Sequence, residues 1–360
     1  MSKRENQILQ LLKADPFIQQ QEIADILGIS RSCVAGHIMN LSKKGYIKGK
    51  GYILSNDVYT VTIGAANIDL TSYASAKLIY EDSNPGKIIL TSGGVGRNIA
   101  QNIALLKNKS YLISVIGDDT NGNTLFEKTK LTGVNVSHLY KIEGEKTSIC
   151  NSIINENGQC IVAVNDMCIL EKLTPNLLSQ SRSLIQHASV LVVDCNLTEE
   201  ALKWLFQHAR NVPIFVDTVS SSKAPKIRHW LSHIHTLKPN RTEAETLSGI
   251  KIKTQKDAAN AAQWFHRHGV QRLILSMDAE GVYYSELDSI SGCSPAIHTN
   301  IINANGAGDA MMAGLVHCWL EGMELQESVI FAQQCSALTL SSEDIDISPQ
   351  NHSSDIPHHF

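Results

Sequence analysis

Asn305-Gly306-Ala307-Gly308-Asp309, running into Ala310-Met311-Met312-Ala313-Gly314-Leu315, sets a paired-glycine turn and an acidic side chain at the start of an apolar helix. Gly306 and Gly308 let the backbone come close to a ligand. The N–H groups that open the helix, that of Ala307 among them, turn the positive end of the helix dipole toward an anion. Asp309 then stands where a proton can leave an alcohol while phosphoryl charge is held beside it. The quieter reading of Asp309 is a helix cap, and Met311 and Met312 read as core filling.

Working back from this turn, short apolar runs predict strands at 58–63, 111–116, 190–193, 213–216 and 272–275. Helical spacing predicts helices at 98–107, 198–210, 256–268 and 306–320. Such alternation implies an α/β protein with a mostly parallel sheet covered on both faces and ligands beyond the carboxyl ends of its strands. With 360 residues, 43% hydrophobic and 18% charged, the chain has room for a sizeable core and either two domains or one with an appendage. The N-terminus is polar and no segment has the length of a membrane span, so the expected location is the cytoplasm. Eight cysteines without a C-x-x-C pair argue against a zinc site or a disulfide framework.

A net charge of −4 gives no global sign of a nucleic-acid partner, yet residues 1–54 hold eight Lys/Arg against four Asp/Glu. Helical spacing at 4–13 and 19–27, a Gly28-Ile29-Ser30 turn, and a further helix over 31–44 follow one another there. Residues 46–54 alternate around a glycine turn and read as a hairpin. Together they resemble a winged helix-turn-helix DNA-binding module. That geometry would send Arg31, Ser32 and His37 to base edges or phosphates and Lys48 and Lys50 to phosphates. A helical cap or a dimerisation element is the alternative.

Gly93-Gly94-Val95-Gly96-Arg97-Asn98 lacks the spacing and the downstream acid of a dinucleotide fold. With Asn305 to Asp309 some two hundred residues later, it resembles instead the two signatures of the ribokinase (PfkB-type) carbohydrate and nucleoside kinases. The resemblance implies a ribokinase-like three-layer α/β/α sandwich over 56–343, after a winged helix over 1–55 and before a polar tail over 344–360. A small β lid, from residues near 75–92 and 147–164, would close over the sugar. It gives Gly93, Gly94, Asn98 and the Asn67 to Asp69 segment to the sugar, with Asp69 on vicinal hydroxyls. Asn240 and Glu243 of Lys238-Pro239-Asn240-Arg241-Thr242-Glu243 would organise Mg²⁺ and the ATP phosphates, with Glu243 in the metal shell. Ser276, Gly281 and the helix around Gln333 would hold ATP. Asp309 would be the general base, with Gly306, Ala307 and Gly308 holding the transferring phosphoryl group.

Other stretches, among them Ser83 to Ile88, Val164-Asn165-Asp166-Met167 and Asp194-Cys195-Asn196, are similar to the pseudouridine-kinase branch of that family. This implies pseudouridine as the nucleoside phosphorylated at its 5′-hydroxyl, with another ribonucleoside or ribose, or a DNA-binding regulator that senses the nucleoside, as alternatives. Asn196 either contacts the sugar or satisfies a turn, Asn165 either reads the base or sits in a lid hairpin turn, and Arg97 reads as a surface or phosphate-facing charge. Asn303 stands where many relatives have Asp, which leaves K⁺ dependence open, and Asp278 stands where a glycine is usual. Relatives commonly dimerise through the lid, so a homodimer is expected.

Overall fold

The computed structural model describes residues 2–14, 16, 18–47, 58–209, 211–300 and 305–341. The N-terminal part forms helices Lys3–Ala14, Gln20–Leu27 and Arg31–Lys43 around their own core, in which Ile8, Leu12, Ile23, Val34 and Leu41 are buried. Gly28 ends the second helix in the left-handed conformation at φ 62°, and the Ser30 side chain accepts from the Cys33 N–H to start the third. The expected turn and its cap are therefore both present. The rest of the expected hairpin, with Lys48 and Lys50, lies outside the described residues, as do Asn303 and the 344–360 tail.

Among the described residues the larger part has thirteen strands. They are β1 (Thr60–Ile63), β2 (Asn67–Ala74), β3 (Gly86–Gly93), β4 (Ser110–Gly117), β5 (Asn135–Ile142), β6 (Ile149–Ile154), β7 (Cys160–Asp166), β8 (Val190–Asp194), β9 (Ile214–Asp217), β10 (Thr236–Lys238), β11 (Arg272–Ser276), β12 (Val282–Glu286) and β13 (Ser291–Ser294). Nine form one sheet in the order β13-β12-β11-β10-β9-β8-β1-β4-β5, parallel from β11 to β5, with β12 and β13 antiparallel at the edge. Period-two alternation sorts the strand residues onto two cores. Val61, Ile63, Leu191 and Val216 join the core of helices Glu199–His208 and Gln255–Arg267, while Val190, Val192, Phe215 and Ile274 meet helices Val95–Leu105, Ala307–Leu320 and Leu325–Leu340. This is the expected three-layer α/β/α sandwich.

The second sheet is the lid, ordered β3-β2-β6-β7. It begins earlier than the sequence suggested, at Asn67, because only Gly64 to Ala66 separate β1 from β2. Asp69 is thus a strand residue and not a turn residue at the end of β1. Cross-strand register puts Thr91, Asp69, Cys150 and Asn165 in one row, and therefore on one face. Asn165 lies within β7, which excludes the hairpin-turn reading; the turn is made by residues 155–159 instead. Among the described residues no helix is long and apolar enough to cross a membrane.

Candidate active site

The strand order reverses around β1 and β8, and the side chains that matter collect beyond the carboxyl ends there, where open α/β sheets leave a crevice. Asp194, Asp217, Lys238 and Ser276 end β8, β9, β10 and β11 in turn. Across the crevice, Gly306 takes the left-handed conformation at φ 80°, and no side chain caps the helix it opens. Asp309, 8% exposed, lies in its first turn and accepts from Asn98 Nδ2 at 2.9 Å. Asn98 belongs to helix Val95–Leu105, held against β1 because Gly94 has φ 102° and a Cβ there would stand 2.5 Å from the Ala65 carbonyl oxygen. The two sequence signatures, 211 residues apart, meet in this one hydrogen bond.

The crevice concentrates charge. Lys238 Nζ is 2.9 Å from Asp217 Oδ2, and both side chains are nearly buried. Burial works against the Lys238 ammonium, but Asp217, Asp309 and Glu243 outweigh it and hold its pKa above the ordinary value. Lys238 also lies beside the anion-facing turn, since a Cβ on Gly308 would be 3.4 Å from its Nζ. Burial pushes Asp309 up to about 7, with the charges of Asp217 and Asp194 adding to the effect and Asn98 and Lys238 opposing it. Asp194, wholly buried and accepting from Ala65 N and Asn196 N, is raised to about 6, chiefly by desolvation. A carboxylate near neutrality, beside N–H groups and a cation, suits proton removal during phosphoryl transfer. Lys238 and Asp217 were not singled out from the sequence. The only signal was the Lys directly before Pro239-Asn240, and nothing local reveals that β9 and β10 end side by side.

Asp69 is held at the root of the lid, where β2 pairs with the end of β3. Asn67 Nδ2 donates to Asp69 Oδ1 at 2.6 Å, and Gly93 leaves the room the carboxylate needs, because a Cβ there would be 2.1 Å from Asp69 Oδ2. Burial raises the Asp69 pKa, opposed by Asn67 and by the charge of Arg97. Asn196 follows β8, and its side-chain oxygen accepts from Lys223 Nζ at 2.5 Å. Arg97 differs from expectation: it is 4% exposed, not on the surface, and donates to Ser92 O, Asn98 Oδ1, Thr129 Oγ1 and Gln101 Oε1. The Asn98 amide is thereby held at both ends, donating to Asp309 and accepting from Arg97, with a second Nδ2 hydrogen left for the sugar contact expected of it.

Behind the anion-facing turn is a cavity of about 530 Å³ whose lining includes Ser276, Gly281, Ala307, Gly308 and Gln333, together with Lys238. Gln333 Nε2 donates to Pro295 O at 2.9 Å, while its buried Oε1 has no partner among the described residues and can accept from an amino group such as that of adenine. Asp278, on the rim, has φ 53°, the conformation in which glycine is usual. Asn240 and Glu243 are outside that lining. They form a capping box at the start of helix Arg241–Ser248, and Glu243 Oε2 also accepts from Thr218 Oγ1 at 2.6 Å. Among the described residues no three His, Cys, Asp or Glu side chains gather closely enough to cage a metal. In the N-terminal part, Arg31 and Ser32 are exposed at the start of helix Arg31–Lys43, and His37 is half-buried.

Such a fold, with a glycine turn beside a buried carboxylate, is that of a kinase that transfers phosphoryl groups to an alcohol. The chain belongs to the pfkB family carbohydrate kinases, which it matches over residues 58–351, and residues 1–48 match winged helix-turn-helix DNA-binding domains. It is 53% identical over 285 residues to the pseudouridine kinase of Escherichia coli strain K12, covering 79% of this chain and 91% of that protein. An uncharacterized sugar kinase of the same organism is 48% identical over 342 residues, 95% of this chain and 94% of its own length. The fold is shared with Arabidopsis thaliana ribokinase complexed with ribose and ATP, at TM-score 0.73 and 19% identity over 80% of this chain and 94% of that one.

Turnover should fall as pH drops through about 7, because Asp309 gains its proton there. Lys238→Met removes the cation that opposes this protonation and leaves Asp217 unneutralised, so the acid limb should move up by about one pH unit or more. A pH profile of kcat/KM measures the shift, and an unmoved limb would contradict the electrostatic account.

Proposed function

We propose that this protein is an ATP-dependent, cytoplasmic pseudouridine kinase that phosphorylates the 5′-hydroxyl. The observation that carries the reading is the Asn98–Asp309 hydrogen bond, which fixes a buried carboxylate between the anion-facing turn and the lid. Asp69 and Asn67 on the lid would take the 2′- and 3′-hydroxyls, a carboxylate being able to accept two such bonds at once. Asn165 shares the Asp69 face of the lid and would meet the base, and Asn196 the sugar. Gly93 and Gly94 serve by letting the lid root and β1 approach.

In the reaction, the 5′-O–H proton passes to an Asp309 carboxylate oxygen and the freed oxygen pair forms a bond to the γ-phosphorus. The bond from that phosphorus to the bridging oxygen breaks, and its electron pair leaves with ADP. The Gly306, Ala307 and Gly308 turn and Lys238 hold the phosphoryl charge, while Ser276, Gly281 and Gln333 line the nucleotide's place. Mg²⁺, when bound, would neutralise phosphate charge, with Asn240 and Glu243 orienting its waters; K⁺ dependence rests on the segment that contains Asn303. Domain limits of 1–55, 56–343 and a 344–360 tail accompany this reading. Asp309→Asn should cut turnover by about a thousandfold or more while calorimetry still detects the nucleoside. A screen of pseudouridine, uridine, adenosine, inosine and ribose should give the highest kcat/KM for pseudouridine. Another acceptor ahead of it would displace the substrate assignment, and near-normal turnover by Asp309→Asn would sink the mechanism.

A second role, DNA binding that makes the kinase a regulator as well, is favoured by the match over residues 1–48 and the exposed Arg31 and Ser32. The full chain should bind duplex DNA at about 50 mM salt and lose it steeply as salt rises, with Arg31→Ala weaker throughout. No binding even at low salt would favour the cap or dimerisation reading.

A homodimer formed through the outer face of the lid is supported by Ile88, Leu90, Val162 and Val164, which are exposed there. Cross-strand register puts them on one face with Leu70, Asn151 and Ile153. Sedimentation should find a dimer for the full chain and a monomer for Leu90→Arg; equal masses for the two would contradict this interface.

A further inference from the structure

Arg97 is a cation taken out of water in the first turn of helix Val95–Leu105, and the enzyme reading above gives it no chemical step. Burying such a charge is costly unless its hydrogen bonds are well placed. Here Nη1 donates to Ser92 O and to Asn98 Oδ1, each at 3.0 Å, Nε donates to Thr129 Oγ1 at 3.0 Å, and Nη2 donates to Gln101 Oε1. All four acceptors are uncharged oxygens. Two of the contacts lead straight to the proposed substrate groups.

The first leads to the base. Because Asn98 Oδ1 accepts from Arg97, the amide must present Nδ2 to Asp309, which it does at 2.9 Å. A flipped amide would set a carbonyl oxygen against the carboxylate and remove its one side-chain donor among the bonds described. The second leads to the lid. Ser92 precedes Gly93 in β3 and pairs with Ile68, next to Asp69, so the guanidinium is pinned at the lid root. From there its charge acts on the Asp69 carboxyl and opposes the effect of burial.

We infer that Arg97 is a positioning residue for both ends of the nucleoside: it locks the polarity of the Asn98 amide toward Asp309 and, through Ser92, pins the strand pair that carries Asp69 at the root of the lid. This rests on the roles proposed for Asp309 and Asp69. The groups that face Asp309 are Asn98, Asp217, Lys238 and Asp194. Those that face Asp69 are Asn67 and Arg97, with Cys150 beside it across the lid sheet.

The test compares Arg97→Met and Arg97→Lys with the parent chain, using calorimetric pseudouridine binding without ATP and the pH dependence of kcat, after thermal unfolding has established that each variant folds. In Arg97→Met, the pH below which nucleoside binding is lost should rise by about one unit or more, since a carboxylate that loses a nearby cation protonates more readily. Its kcat should drop by about tenfold or more, with the acid limb displaced upward, because Asp309 loses a fixed donor. Arg97→Lys keeps the charge and loses the fork, so it should restore the binding midpoint and leave the kcat limb displaced. A folded Arg97→Met with both midpoints at parental values would overturn the inference, as would a uniform loss of affinity and turnover with neither midpoint moved. Should Arg97→Met not fold, Arg97→Lys decides alone: a displaced kcat limb supports the role and an unmoved one refutes it. Normal turnover by Asp309→Asn, or normal binding by Asp69→Asn, would instead remove the underlying enzyme reading, a result separate from the Arg97 midpoints.

Discussion

The Asn98 to Asp309 hydrogen bond ties together the two halves of the site, and most of the surrounding structure serves to make it possible. Helix Val95–Leu105 can deliver Asn98 only because Gly94 lets the chain pass against Ala65, and helix Ala307–Leu320 can deliver Asp309 only because Gly306 turns left-handed before it. The two helices share the apolar core that includes Ile99, Ile103, Met311 and Leu315, so their relative position is set by packing and not by the polar contact itself. The hydrogen bond then has electrostatic consequences. It opposes the burial and the carboxylates that push Asp309 upward, leaving a carboxyl poised near neutral pH.

A second constraint is the accumulation of like charge. Asp194 and Asp217 are register partners at the ends of β8 and β9, and both act on Asp309. Lys238, at the end of the next strand, pairs with Asp217 and so offsets part of that repulsion. The same ammonium lies beside Gly308, where phosphoryl charge would arrive. A turn carrying Val219 at φ 64°, an uncommon conformation for a β-branched residue, directs its N–H to Asp217 Oδ1 at 2.9 Å. The strained backbone and the ion pair therefore converge on the same carboxylate.

Much of this was legible in the chain itself, because glycine-rich turns and period-two or helical apolar spacing are local signals. Strands β1, β4, β8, β9 and β11 and four of the flanking helices followed from them, while the link between Gly93 to Asn98 and Asn305 to Asp309 came from the resemblance to the ribokinase-type kinases. What was not legible depends on which strand ends become neighbours. Lys238 and Asp217 acquire a role only through the β9–β10 pairing, and Arg97 looked like a surface charge because its acceptors come from β3, its own helix and Thr129. The lid start at Asn67 was missed for a different reason: the three-residue Gly64 to Ala66 link is too short to signal that one sheet ends and another begins. In the N-terminal part the helix-turn-helix was readable because Gly28 and Ser30 carry their conformations locally.

In the proposed complex the nucleoside lies with its diol on the lid and its 5′-hydroxyl on Asp309, in line with the cavity behind the glycine turn. A crystal structure with pseudouridine and a non-hydrolysable ATP analogue tests that orientation most directly. The 5′-oxygen should lie within about 3 Å of an Asp309 carboxylate oxygen, the 2′- and 3′-hydroxyls on Asp69, and the γ-phosphate over the Gly306 to Gly308 turn. A nucleoside bound with its 5′-hydroxyl turned away from Asp309, or seated outside the crevice between the lid and the strand ends, would contradict it.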